Sequence, residues 1–112
     1  MAAIEEAILR GLIDDMGGEM EVVKELIQSY LEEAPKLLAE ARSALGAKDA
    51  PGVQRAVHTL KSTSATFGAM SLSVLSKEVE QAARGGVLPS DDQMAGLEAG
   101  FASARAELVK RL

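Results

Sequence analysis

Apolar residues recur along this chain in steps of three and four, the spacing of one helical face, and no stretch alternates apolar and polar as a strand would. Five helices and no strand follow. The first, α1, is expected from about Ala2 to Met16, where Gly17 and Gly18 end it. The second, α2, runs from about Glu19 to Leu45 on a row of Val23, Ile27, Tyr30, Ala34, Leu37, Ala41 and Leu45. Pro35 sits inside that row and should kink it; the alternative is two helices broken near Glu33 and Ala34.

Asp49 can cap α3, and Pro51 falls in its first turn, where a missing N–H costs little. The row Val53, Val57, Leu60, Ser64 and Phe67 carries α3 over about 50–67, and Gly68 stops it. Helix α4 spans about 70–84, with Leu72, Leu75, Val79 and Ala82 inward, and ends at Gly85 and Gly86. Ser90 and Gln93 form a capping box for α5, over about 91–111, whose inner face is Met94, Leu97, Phe101, Ala104 and Leu108.

Helices α2 to α5 each carry one narrow apolar stripe and are joined by short connections. The economical architecture is all-α: an antiparallel up-down four-helix bundle with an additional short N-terminal helix. In α1, Ile4, Ile8 and Leu12 form one apolar row, and Leu9, Ile13 and Met16 form another. Either one row packs on the bundle and the other is left for a partner, or both are buried in a groove between helices.

Composition narrows the class. The chain has 112 residues, enough for one domain with its own core, and no cysteine, so disulfides, thiol chemistry and zinc ribbons are excluded. Net charge is −5, with one Tyr, two Phe and no Trp, a poor footing for nucleic-acid binding. No window approaches the roughly 20 apolar residues of a membrane span. The first residues lack a basic segment followed by an apolar one, so no signal peptide is read and a cytoplasmic location is expected.

The one histidine is His58, in the middle of α3. At about 100° per residue it falls roughly 140–150° from the centre of the apolar face, so it is presented to solvent from a rigid helix. Lys61 follows at i+3, within reach of a group attached to the imidazole. Ser62, at i+4, is small and stands beside the histidine, and Ala65 continues the small face. Imidazole titrates near neutrality, so its neutral, nucleophilic form is available at physiological pH.

The stretch from Ala56 to Ala69 resembles the signature of histidine phosphotransfer (HPt) domains: His58-Thr59-Leu60-Lys61, then small residues, then Gly68-Ala69, then a helix with Leu72, Leu75, Val79 and Glu80. The helix with Tyr30 and Pro35 and the turn at Asp49 also resemble the family, so the likeness covers nearly the whole chain. Its one departure is Ser62, where the family often has glycine; a serine is still small and can hydrogen-bond the imidazole or a phosphoryl group.

That resemblance implies a carrier that takes a phosphoryl group on His58 from a receiver-domain aspartate and passes it to the aspartate of another response regulator. Lys61 would place positive charge on the phosphoryl oxygens. Arg84 resembles a position that is basic in some members. Glu80 matches a family position on α4 that can face α3, with no role assigned to it. The chain has no P-loop and no aspartate cluster for Mg²⁺, so no autonomous kinase activity and no cofactor of its own are expected. The Mg²⁺ would sit on the partner, a receiver domain of a response regulator or of a hybrid sensor kinase. No nucleic-acid or membrane partner is expected, and a monomer is.

Three other readings compete with this one. A pure interaction module would bind through α1 and leave His58 unmodified. The phosphorylated domain of a chemotaxis-type kinase would need an ATP-binding domain, which is not in this sequence and would have to lie elsewhere in a longer protein from which the chain was excised. A di-iron bundle needs Glu-x-x-His pairs, and Arg55 stands three residues before the only histidine.

Overall fold

The computed structural model describes residues 2–112, and five helices run through them: α1 (Glu6–Asp15), α2 (Met20–Gly46), α3 (Ala50–Thr66), α4 (Met70–Arg84) and α5 (Asp91–Val109). Among the described residues there is no strand. Helices α2 to α5 form a ring in which each packs on the next and α5 closes against α2, while α1 lies across α2 and α3. This is the four-helix bundle with a short N-terminal helix that the apolar rows predict.

The rows of α3 and α5 are buried at every named position. That of α2 is buried from Val23 to Ala41, with Leu45 half-buried. Helix α2 runs unbroken through Pro35, so the two-helix alternative falls away. Pro35 stands on the exposed side, where a missing backbone bond is exchanged for water. At the centre, the Tyr30 ring stacks on Phe67 at 4.9 Å and meets Phe101 edge-on at 5.8 Å. Its hydroxyl shares a hydrogen bond of 2.8 Å with the Ser64 hydroxyl, which satisfies both buried groups. Burial pushes the Tyr30 phenol above its ordinary value, and the bond to Ser64 offsets only part of that.

Two elements differ from the expected pattern. Helix α1 starts at Glu6 rather than near Ala2, because Glu5 is extended and its N–H donates to the Gly68 carbonyl at 2.8 Å. That tertiary bond takes the residues before Glu6 out of the helix. The two apolar rows of α1 are each split: Ile4 and Leu9 are buried, Leu12 and Ile13 are half-buried on the core, and Ile8 and Met16 are exposed. Neither alternative for α1 holds as stated, since each row puts one residue in the core and one in water.

The inner face of α4 is also turned from the expected one. Ala83, not Ala82, is buried, and Leu75 is only half-buried. The buried set is Leu72, Ser73, Ser76, Val79, Glu80 and Ala83. Half of it is polar, and each polar member has a partner: Ser73 donates to the Lys61 carbonyl at 2.9 Å, Ser76 to the Leu72 carbonyl at 2.8 Å, and Glu80 accepts from α3. No helix among the described residues is long and apolar enough to cross a membrane.

Candidate functional site

Helix α3 begins where the sequence says it should. The Asp49 carboxylate accepts from the Gly52 N–H at 3.0 Å, with Pro51 in the first turn. From there the fully buried Val53, Val57 and Leu60 fix the rotation of the helix between α2 and α4. That rotation sets His58 on the opposite side, with its side chain 54% exposed. The histidine therefore belongs to a rigid element but is open to a partner, as its angular position predicts.

Glu80 of α4 organises what surrounds it. Its side chain is 3% exposed, and one carboxylate oxygen, Oε2, accepts from Nδ1 of His58. The other, Oε1, accepts from Lys61 Nζ at 2.6 Å, and Arg84 Nη2 reaches Oε2 at 3.3 Å from one turn further along α4. Burial alone would raise the Glu80 carboxyl, but the bonds and charges of Lys61 and His58 outweigh it and hold the group below its ordinary value. A buried carboxylate kept ionised in this way is an acceptor only, so the proton on the shared His58 bond resides on Nδ1. The lone pair of the neutral ring is then on Nε2. Two cations, Lys61 and Arg84, face one carboxylate, which leaves an excess of positive charge around Glu80 on the Nδ1 side of the ring.

The profile of the Hpt domain family matches residues 25–107. The chain belongs to that family. Among solved structures, the histidine-containing phosphotransfer protein B of Pseudomonas aeruginosa PAO1 superposes with a TM-score of 0.86 at 25% sequence identity, covering 96% of this chain and 91% of that one. The HPT domain of a sensor hybrid histidine kinase from Shewanella superposes at a TM-score of 0.76 and 14% identity, covering 96% and 92%. Comparison with curated proteins gives no match. Histidine phosphotransfer domains work in phosphorelays and interact with receiver domains, and this chain is one of them.

The rest of the HPt face lies along α3. Ser62 is exposed and Ala65 half-buried, both on the His58 side of the helix. Ser62 donates to the His58 carbonyl at 3.3 Å, so its hydroxyl makes no bond to the ring. Thr59, Thr63 and Thr66 turn their hydroxyls back onto carbonyls one turn earlier, at 3.4, 3.0 and 3.1 Å. Gly68, the glycine of the Gly-Ala pair, has φ +83°, and a Cβ there would stand 2.7 Å from the Glu5 carbonyl oxygen. The motif glycine is thus the point where the N-terminal segment crosses the turn between α3 and α4.

The structure brings His58, Lys61 and Arg84 together, and it does so through Glu80, to which the sequence assigned no role. Lys61 is not a free cation waiting beside the imidazole; it is paired. The available signal was an acidic residue directly after Val79 in an inward row, with an arginine at i+4. Among the described residues, no three His, Cys, Asp or Glu side chains cluster in a metal-binding arrangement.

Proposed function

We propose that His58 is the phosphoryl acceptor and that Nε2 is the nitrogen that carries the group. The observation behind this reading is the bond from Nδ1 to buried Glu80, which leaves Nε2 as the outward-facing lone pair on the chain's one histidine. In the forward step, Nε2 attacks the phosphorus of a receiver aspartyl phosphate. The N–P bond forms as the P–O bond to the aspartate breaks, and the aspartate leaves as a carboxylate. The ring keeps its Nδ1 proton and becomes cationic, and Glu80 lies against that developing charge. The reverse sequence delivers the group to the aspartate of a second receiver.

Lys61 supplies charge to the phosphoryl oxygens by sharing or leaving its bond to Glu80, and Arg84 is a second cation within reach of the same carboxylate. Ala65 keeps the surface beside His58 low enough for a partner to approach. Mg²⁺ belongs to the receiver, as do the acids that bind it. In this reading the chain acts as a cytoplasmic monomer, its four long helices closing their own core, and receives its phosphoryl group from a partner rather than from a nucleotide.

The test is transfer from a labelled, phosphorylated receiver domain to the protein and to its His58→Gln variant. Acid-labile label on the wild type alone supports the reading. Binding of several receivers with no label on the wild type overturns it.

A further inference from the structure

We propose that Ser62 is a ligand of the phosphoryl group: when Nε2 is loaded, its hydroxyl leaves the His58 carbonyl and donates to a phosphoryl oxygen. The inference rests on His58 being the acceptor and adds a residue that holds the product.

Helical geometry sets the sides. From His58, Lys61 lies about 60° around the helix in one direction and Ser62 about 40° in the other. Lys61 and His58 Nδ1 both turn to Glu80, so α4 is on the Lys61 side. In an imidazole, Nε2 belongs to the ring edge opposite Nδ1. Fixing Nδ1 against α4 therefore puts Nε2 on the edge nearer Ser62. The phosphoryl group is then flanked by a cation on one side and a hydroxyl on the other.

The hydroxyl is free to make this exchange at little cost. Its present bond is 3.3 Å, longer than those of Thr63 and Thr66 at 3.0 and 3.1 Å. Thr59 has a longer one still, 3.4 Å, but stands about 100° around the helix from His58. The His58 carbonyl given up by Ser62 is inside α3 and keeps its helical partner. In return, the hydroxyl gains an acceptor that carries a full negative charge, which makes the stronger bond. Nδ1 is occupied by Glu80, and once Nε2 is bonded to phosphorus its lone pair is gone, so the phosphoryl oxygens are the acceptors left on that side of the loaded ring.

A ligand of the phosphoryl group and a residue that merely shapes docking differ in one measurable way. Docking alters forward and reverse transfer equally and leaves the equilibrium in place. A bond present only when His58 is loaded shifts the equilibrium itself. The experiment measures the partition of label between His58 and a receiver aspartate, with both rates, for the wild type, Ser62→Ala and Ser62→Thr. Far-UV circular dichroism checks that the exposed substitutions leave the helices intact. The expected result is a shift toward the receiver of roughly two- to tenfold in Ser62→Ala, the range of one hydrogen bond, and recovery in Ser62→Thr. An unchanged partition in Ser62→Ala, whether or not the rates move together, overturns the role of Ser62 and leaves His58 as the acceptor. Absence of label on the wild type overturns both.

Discussion

Glu80 on α4 accepts the Nδ1 hydrogen of His58 on α3, and through that bond a buried carboxylate decides which nitrogen of an exposed neutral ring carries the lone pair. The carboxylate is as deeply buried as the apolar residues around it, yet it is not isolated. Three nitrogens from two helices surround its two oxygens. Removing one partner of such a group exposes the others to an uncompensated charge, so substitutions here should couple.

Acid should loosen the link between α3 and α4. The Glu80 carboxyl titrates below its ordinary value of 4.5 in the folded protein. Its depressed value means that the stabilisation is present above the unfolded value and is lost as pH falls through the folded one. Glu80→Gln should remove that contribution. Urea unfolding from pH 7 down through about pH 3 should show a shallower acid limb in the variant than in the wild type. Parallel limbs would mean that Glu80 gains nothing from Lys61 and His58.

Lys61→Ala should weaken the loaded state while leaving the bundle folded. A hydrogen bond to a charged group contributes about 1.5–3 kcal/mol, so transfer or phosphohistidine lifetime should fall about tenfold or more. The decay of acid-labile label in the absence of a receiver, and the rate of transfer in its presence, separate the two effects. If neither changes, the lysine serves only to balance Glu80.

Gly68→Ala should dislodge the N-terminal segment. A Cβ at φ +83° is strained on its own account, and at 2.7 Å from the Glu5 carbonyl it cannot be accommodated without movement. The cost should be about 2 kcal/mol or more in unfolding free energy. Loss of hydrogen-exchange protection at the Glu5 N–H should accompany it, since that amide donates to Gly68.

Tyr30→Phe keeps the ring stack on Phe67 and leaves the fully buried Ser64 hydroxyl without its partner. Chemical denaturation should report a loss of about 1–3 kcal/mol, nearer the lower end if Ser64 turns to the carbonyl one helical turn before it. Phosphoryl acceptance should be preserved, because Tyr30 lies in the core and His58 on the surface.

The helices were legible in the sequence wherever apolar spacing alone determines burial. Val53, Val57 and Leu60 placed α3 and so placed His58, and the Ser90–Gln93 box marked the start of α5, where both reciprocal bonds are present. Helix α4 was less legible because half of its inner face is Ser73, Ser76 and Glu80, whose burial depends on partners in α3 or on their own backbone. A search for apolar residues rotates such a helix toward Ala82. The start of α1 failed for a similar reason: Glu5 answers to Gly68, sixty-three positions later, and nothing near it in the sequence records that bond. Lys61 was expected within reach of a group on the histidine, and its pairing with Glu80 was invisible until α4 was in position.

The attachment of α1 has a consequence for the order in which the molecule assembles. Glu5 is held by Gly68, and Glu6 by an ion pair with Arg111. Both anchors are made long after α1 itself as the chain emerges from the ribosome. Of the five helices, α1 is thus fastened in part by residues made after it, one of them beyond α5, like a clasp closed over a finished bundle. With few buried residues of its own and two distant ties, it should also be the first part to open, in a local unfolding event that leaves the four long helices assembled.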